Sequence, residues 1–472
     1  MSFLQKHAAL YTDFYQLTMA QGYFLSGRSD APASFDYFYR ENPFQGGYVV
    51  FAGLSDLLDI LKTLKFEKDD IEYLRSQGFR QEFLDYLKTF RFRGTVYSVK
   101  EGEVVFPFEP LVRVDGNVIE TQVIETLLLN LLNFESLIAT KASRVKAAAG
   151  NRRVVDFGLR RAQGFGGIHA SKAAIIGGLE ATSNVYAALE FGLETSGTQA
   201  HSWIQSFDDE LTSFRKFAEH YPDRCILLVD TYNTLRSGIP NAIKVAKELE
   251  RQGNRLVGIR LDSGDLAYLS KRARQMLNDA GLPDVKIIVS NQLDEYLIRS
   301  LLQQDAPIDS FGVGTRLITA YDSPALEGVY KLSMCDGKPR LKFSENYTKT
   351  TLPGLKSIRR YRNGEGSFYA DAVMLENEST VDQIHHPFFS EQQSSLKHCV
   401  SEPLWIKVME MGMMVTEPAT PASAASYAKD RLMHLSPEHK RFEYPHTYKV
   451  GISTRLMELR SNLFDEIHHK IP

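Results

Sequence analysis

Cysteine is scarce in this 472-residue chain: Cys225, Cys335 and Cys399 stand far apart, are odd in number and form no CxxC or Cys/His cluster. A disulfide framework and a closed zinc site are thereby excluded, and reduced, mostly buried thiols are expected. An excess of either charge is also missing. Lys plus Arg number 55 against 58 Asp plus Glu, a formal net charge of −3, and 43% of residues are hydrophobic. That balance speaks against a strongly basic nucleic-acid binder and against disorder. No apolar run approaches the ~20 residues of a membrane helix. The longest stretch, from Val118 to Ala139, is broken by Glu120, Glu125, Asn130, Asn133 and Glu135. The first residues lack a cationic segment followed by an unbroken apolar one, so no secretory signal is expected and the setting is read as cytoplasmic. There is no Walker A motif, because Gly337-Lys338 lacks the preceding glycine spacing and the following Ser or Thr, and there is no Rossmann fingerprint.

What the chain does contain is a change of texture near residue 151. Residues 1–135 mix amphipathic helical patterns (Ser55 to Leu64, Asp69 to Ser76, Gln81 to Thr89) with strand-like runs at Phe35 to Tyr39 and Thr95 to Val99, a reading of α+β with a small β subdomain over 94–114. From Asn151 onward, short apolar strands alternate with amphipathic helices, the signature of a parallel βα array. The predicted strands are Arg153 to Gly158, a run ending at His201, Cys225 to Asp230, Leu256 to Asp262, Val285 to Ser290 and Asp309 to Gly314. The predicted helices include Ser206 to His220, Ile239 to Gln252, Asp265 to Ala280 and Asp294 to Gln304. From His201 the strand ends recur about every 24 to 32 residues, the span of one strand plus one crossover helix. After Tyr330 the pattern weakens into mixed polar sequence.

Polar, charged and glycine residues gather where each apolar run stops. In a closed βα barrel that rim collects catalytic and phosphate-binding groups, whereas a doubly wound sheet concentrates them at one switch point. Six such ends favour an irregular TIM-like barrel over 136–345, flanked by an N-terminal α+β domain (1–135) and by a smaller C-terminal domain (346–472) expected to pack on the N-terminal one. Gly312-Val-Gly-Thr315 suits a phosphate loop, or a tight turn without a ligand. Arg160 and Arg161 suit a carboxylate or phosphate, or surface salt bridges. Asp230 and Asp262 suit Mg2+ or ribose hydroxyls, or buried pairing with Arg260. His201 suits a base, an oxyanion partner or a nucleophile toward phosphorus, or a structural role.

Taken together, the motifs resemble the nicotinate phosphoribosyltransferases, type II phosphoribosyltransferases. The resemblance is collinear from Tyr11-Thr-Asp-Phe-Tyr-Gln-Leu-Thr-Met-Ala20 and Phe35-Asp-Tyr-Phe-Tyr-Arg40 to Lys342-Phe-Ser-Glu-Asn346 and Thr351-Leu-Pro-Gly354. Between those ends lie Asp156-Phe-Gly-Leu-Arg-Arg-Ala-Gln-Gly164, Ala181-Thr-Ser-Asn184, Gly197-Thr-Gln-Ala-His-Ser202, Val229-Asp-Thr-Tyr232, Arg260-Leu-Asp-Ser-Gly264 and Phe311-Gly-Val-Gly-Thr315. It implies transfer of a phosphoribosyl group from 5-phosphoribosyl 1-pyrophosphate to nicotinic acid in NAD salvage, coupled to hydrolysis of ATP as co-substrate, with Mg2+ as cofactor.

By the same resemblance, Tyr15 and Phe157 sandwich the pyridine ring and Arg160 binds near the nicotinate carboxylate or the nucleotide phosphate. Ser183 stands where the related nicotinamide enzyme carries an aspartate, which favours the acid over the amide. Asp230, Arg260 and Asp262, with Ser263 and Gly264, surround the ribose and its metal. Gly312, Gly314 and Thr315 wrap the 5-phosphate, and Arg40 binds pyrophosphate. His201 matches the family histidine that ATP phosphorylates. Tyr15 and Arg40 reach in from a neighbouring subunit in the family, implying a homodimer with shared sites. Asn233 and Gln292 depart from the family pattern, in which a second Asp and a small or acidic residue are commoner.

Overall fold

A computed structural model describes residues 6–342, 349–389 and 391–470. Residues 343–346 of the Lys342-to-Asn346 motif, and the expected domain boundary at 345/346, lie outside the described residues. Among the described residues no helix is long and apolar enough to cross a membrane. The chain divides into two compact units, one made of residues 1–137 and 325–472 and one of 138–324.

The first unit is built from both ends of the chain. Its seven-stranded antiparallel sheet runs Lys338–Pro339, Gly328–Cys335, Pro32–Tyr39, Val112–Asn117, Thr95–Ser98, Ile406–Glu410, Met413–Met414. The strand Gly328–Cys335, which the sequence reading placed in the barrel, pairs instead with Pro32–Tyr39, with Tyr37 opposite Tyr330. Its aromatic and β-branched residues explain the choice: Phe35 stacks on Tyr330 at a centroid distance of 4.9 Å, a cross-strand contact of the kind that fixes register. The polar C-terminal sequence is also richer in strands than its composition suggests. Six of them form a second sheet in the order Gln393–Ser395, Gln383–His385, Lys449–Ile452, Phe368–Leu375, Lys356–Arg362, Val400–Pro403.

Buried ion pairs join the two chain ends within this unit. Arg360, fully buried, is held by Asp371 and Glu103, each at 2.6 Å, and Glu103 also receives Arg431 at 2.7 Å. Lys356 is paired with Asp36 at 2.8 Å. Charges this deep persist only because each has an opposite partner, so removing one partner leaves an uncompensated ion.

The second unit holds a six-stranded parallel sheet in the order Ala181–Thr182, Arg153–Asp156, Ser310–Val313, Lys286–Ser290, Gly258–Leu261, Ile226–Leu228. Five of the six sequence-predicted strands are present, shortened at their ends. Helices Ile239–Arg251, Leu266–Asp279 and Glu295–Gln303 follow their strands as expected. Asp265 and Asp294 cap the latter two by accepting from Tyr268 N and Leu297 N. Strands adjacent in sequence are adjacent in the sheet, except between the second and third, and the sixth lies beside the first. That order has no reversal, so there is no doubly wound switch point.

The expected closed barrel is not what the ladder forms. The sheet has two edges, Ala181–Thr182 and Ile226–Leu228. The sixth predicted strand, the run ending at His201, is an extended segment with one bridge, Thr195 to Thr182, and a Gln199 side chain donating to Ile226 O at 3.2 Å. Gly197 and the polar residues around it give this segment little to pack, so it crosses between the two edges without building a ladder. His201 then starts a short helix, His201–Gln205, rather than ending a strand.

Candidate active site

The carboxyl ends of the parallel strands supply the site residues of the second unit. The Arg153–Asp156 strand ends in a turn that Asp156 organises from inside. Its Oδ1 accepts from Gly158 N at 2.7 Å, and its Oδ2 accepts from the hydroxyls of Ser171 at 2.8 Å and Thr182 at 2.7 Å. Burial raises the Asp156 pKa, opposed by those three donors. The next residue, Phe157, donates its N–H to Val313 O at 2.8 Å and lays its ring against Gly312, where a Cβ would stand 2.4 Å from two ring carbons. No other residue than glycine fits there without moving the ring. On the same ring, the Arg260 guanidinium sits 5.2 Å from the centroid, within cation–π range.

Arg260 is fixed by four contacts around the Gly258–Leu261 strand. It donates to Ser290 Oγ at 2.9 Å, to Thr198 Oγ1 at 3.3 Å and to Asp262 Oδ1 at 3.0 Å, besides its position over Phe157. Ser290 Oγ also hydrogen-bonds Asp262 Oδ1. One oxygen of Asp262 is thus fully engaged, and the other, Oδ2, faces His201 Nε2 at 3.8 Å.

Asp230 repeats the arrangement. Its Oδ2 accepts from Asp262 N and Ser263 Oγ, each at 2.7 Å, while Oδ1, buried and without a hydrogen-bond partner among the described residues, lies 3.9 Å from His201 Nε2. The Asp230 side chain is 1% exposed and that of His201 39%. His201 Nδ1 is 3.1 Å from Thr231 Oγ1. An imidazole open to solvent on one side therefore meets two carboxylates, each with one uncommitted oxygen. Hard oxygen donors of this kind suit Mg2+, and Asp230 and Asp262 are the residues that would offer them to one.

Around this centre the remaining sequence-predicted residues of the unit take their places. Gly264 adopts φ +77°, a left-handed turn that lets Ser263 reach Asp230. Gly314 lies under the turn, its Cβ position 3.1 Å from Phe157 O, and Thr315 begins the helix Thr315–Ile318. Ser183, half-buried, donates its N–H to Asp156 O at 2.8 Å, and Arg160 is exposed in the turn Leu159–Arg161. His201, Asp230, Asp262, Arg260 and Phe157 are thereby one connected cluster, with Gly312 and Gly314 beside it.

Tyr15 and Arg40 belong to the other unit. Tyr15 lies in the first turn of the helix Phe14–Leu25 and is 51% exposed; burial, Glu125 and Asp13 raise its phenol pKa. Arg40 follows the strand Pro32–Tyr39 and lines a cavity of about 630 Å³ with Phe108, His386 and Lys449; burial lowers its pKa.

The two sequence departures have local explanations. Asn233 Oδ1 accepts from Arg236 N at 2.8 Å, capping the tight turn Thr234–Gly238, so its carbonyl serves the backbone. Gln292 and Asn291 both have positive φ, 46° and 102°, in the turn that follows Ser290. Sequence reasoning assigned no role to Thr198, Thr231 or Ser290, although Thr231 and Ser290 stand among the polar residues at strand ends. The signal was there, but a hydroxyl next to an ionised group is too common a pattern to single out.

Comparison with known proteins covers most of the chain. Three family descriptions match in order: the nicotinate phosphoribosyltransferase (NAPRTase) N-terminal domain over residues 10–133, the nicotinate phosphoribosyltransferase (NAPRTase) family over 152–392, and the nicotinate phosphoribosyltransferase C-terminal domain over 355–460. The chain is 42% identical to a nicotinate phosphoribosyltransferase of Bacillus subtilis (strain 168), covering 98% of each. The crystal structure of human nicotinic acid phosphoribosyltransferase superposes with a TM-score of 0.86 at 31% identity, covering 96% of this chain and 99% of the human one. A nicotinate-nucleotide pyrophosphorylase from Pyrococcus furiosus, 24% identical with a TM-score of 0.72 over 92% of this chain and 97% of that one, shares the fold.

Proposed function

The chain belongs to the nicotinate phosphoribosyltransferase family, and from that premise we propose that it joins nicotinic acid to the phosphoribosyl group of 5-phosphoribosyl 1-pyrophosphate in NAD salvage, releasing nicotinate mononucleotide and pyrophosphate. The observation that carries the reading is the convergence of His201, Asp230, Asp262 and Arg260 beside the Phe157 ring. As pyrophosphate leaves the anomeric carbon, positive charge grows on the ribose and negative charge on the leaving group. Asp230 and Asp262 supply the anions that the developing oxocarbenium requires. The pyridine nitrogen is itself the nucleophile, so the site needs no strong base, consistent with a rim of Asp, Arg and hydroxyl groups. Mg2+ held by Asp230 and Asp262 would supply charge neutralisation for the pyrophosphate.

Phe157 offers its face to the pyridine ring, and Arg160 and Arg260 offer guanidiniums to its carboxylate and to phosphate. Ser183 places a neutral hydroxyl where an aspartate would repel the acid. Gly314 and Thr315 form the loop for the 5-phosphate. Arg40 and Tyr15 are assigned to the pyrophosphate and pyridine of a partner subunit in a homodimer. Exposed Phe165, Val185 and Leu189, 79%, 72% and 85% accessible, give one protomer apolar surface for such a partner.

ATP enters through His201. Nε2 is turned to two carboxylates, and Nδ1 takes the γ-phosphoryl group: an N–P bond forms, the β–γ bridging P–O bond breaks and its electron pair leaves with ADP. Water later cleaves the N–P bond to give orthophosphate. A cytoplasmic setting accords with these soluble, phosphorylated substrates.

Turnover of nicotinate, nicotinamide and quinolinate, each with and without ATP, tests the proposal. Nicotinate should be the accepted ring, and ATP should raise its rate. His201→Ala should abolish the ATP enhancement and leave slow uncoupled transfer. Turnover of nicotinamide alone would overturn the acceptor assignment, and unchanged ATP stimulation in the variant would overturn the phosphohistidine.

A further inference from the structure

Consecutive residues at the end of one strand face the two nitrogens of a single imidazole: Asp230 Oδ1 lies 3.9 Å from His201 Nε2, and Thr231 Oγ1 lies 3.1 Å from His201 Nδ1. We infer that Thr231 is a positioning residue that holds the His201 ring in plane and reserves Nδ1 for phosphoryl transfer. This rests on the phosphohistidine reading above.

The argument starts from the carboxylates. Asp230 Oδ2 and Asp262 Oδ1 are each committed to two donors, so both carboxylate planes are locked. Their free oxygens converge on Nε2. Nε2 is thereby the nitrogen turned to the anions, and Nδ1 the one turned to the Thr231 hydroxyl. The Thr231 hydroxyl, 3.1 Å from Nδ1, can donate to a lone pair there, and this contact on one ring edge opposes a flip of the ring about its Cβ–Cγ bond. A flipped ring would point its lone pair at the carboxylates, where an incoming phosphoryl group would meet their charge.

A hydroxyl has a second property that a methyl of the same shape lacks. It is a rotor: when Nδ1 bonds to phosphorus, the same O–H can turn and donate to a phosphoryl oxygen. Thr231 therefore serves the ring before transfer and the phosphoryl group after it. Among side chains at this position, Ser retains both capacities and Val neither, while Val keeps the branched shape.

The experiment uses the full-length protein and the substitutions Thr231→Val and Thr231→Ser. Two readouts are followed: the yield of acid-labile phosphoenzyme from γ-labelled ATP, and the nitrogen-15 chemical shifts of the His201 ring, assigned by their loss in His201→Asn. The wild type should show the Nε2–H tautomer. Thr231→Val should lose tautomer preference and reduce phosphoenzyme yield by about 3- to 10-fold, the effect of one lost hydrogen bond. Thr231→Ser should restore both. Wild-type tautomer signals and phosphoenzyme yield in a folded Thr231→Val protein would overturn the inference. If the wild type formed no phosphoenzyme at all, the ATP reading would fall, and the ring signals alone would then decide whether Thr231 orients His201.

Discussion

Gly312 and Phe157 are in close contact: a Cβ on residue 312 would stand 2.4 Å from Cδ2 and Cε2 of the ring. The glycine that sequence reasoning gave to a phosphate loop also seats the aromatic platform. Gly312→Ala should force the ring outward, costing about 1–3 kcal/mol of stability as an overpacked contact. The expected kinetic result is a raised KM for nicotinate with a smaller change for 5-phosphoribosyl 1-pyrophosphate. Thermal unfolding and initial-rate measurements check both halves, and an unchanged nicotinate KM would show that the ring plays no part in binding.

Arg160 is exposed at the turn beyond Phe157, so its loss should not disturb packing. Arg160→Ala should weaken binding of nicotinate or its nucleotide by ~1.5–3 kcal/mol, the range for hydrogen bonds to charged groups. Titration calorimetry with each ligand reads the loss directly, and an unaltered affinity for both would mean that the guanidinium points elsewhere.

Asp230→Asn keeps an oxygen to accept from Asp262 N and Ser263 Oγ while removing an anion from beside His201. The fold should survive with a small change in Tm. Turnover with ATP should fall on the order of 10²-fold, since charge stabilisation and orientation of the imidazole are lost together. A variant retaining full turnover would remove Asp230 from the chemistry.

Glu109 provides a test by pH. It is buried near Asp371 and accepts from Phe106 N at 3.1 Å, and burial followed by the nearby Asp371 charge raises its pKa well above the ordinary carboxylate value. A folded pKa above the unfolded one, about 4.3, means that its stabilising contribution is complete below the unfolded value and lost as pH rises through the folded one. Glu109→Gln keeps an oxygen to accept from Phe106 N and does not titrate. The Tm of the variant relative to wild type should therefore improve on going from about pH 5 to about pH 8. A difference independent of pH would show that Glu109 is ionised in the folded protein throughout.

Much of the second unit was legible because its strands are short apolar runs with amphipathic helices between them, and burial on both faces leaves few other ways to fold such a pattern. The ends at Asp156, Asp230, Asp262 and Ser290 were readable for the same reason: the apolar run stops where the chain reaches the rim. The run ending at His201 misled because an extended backbone is not a ladder, and only the partner strand reveals the difference. Gly328–Cys335 was assigned to the wrong unit because its neighbour in the sheet is almost 300 positions away in sequence, and periodicity carries no information about distant pairing. Arg360 and Glu103 were invisible for a related reason. Each is an ordinary charged residue until the other is placed against it, 2.6 Å away in the interior.

The strand Pro32–Tyr39 has one sheet neighbour, Val112–Asn117, that leaves the ribosome soon after it, and another, Gly328–Cys335, that emerges only after the whole second unit has been made. At ~5–20 residues per second, an aromatic edge waits on the order of a quarter-minute to a minute for its cover. Nascent chains halted before residue 328 should accordingly recruit chaperones through this edge, and the second unit, contiguous in sequence, should mature first.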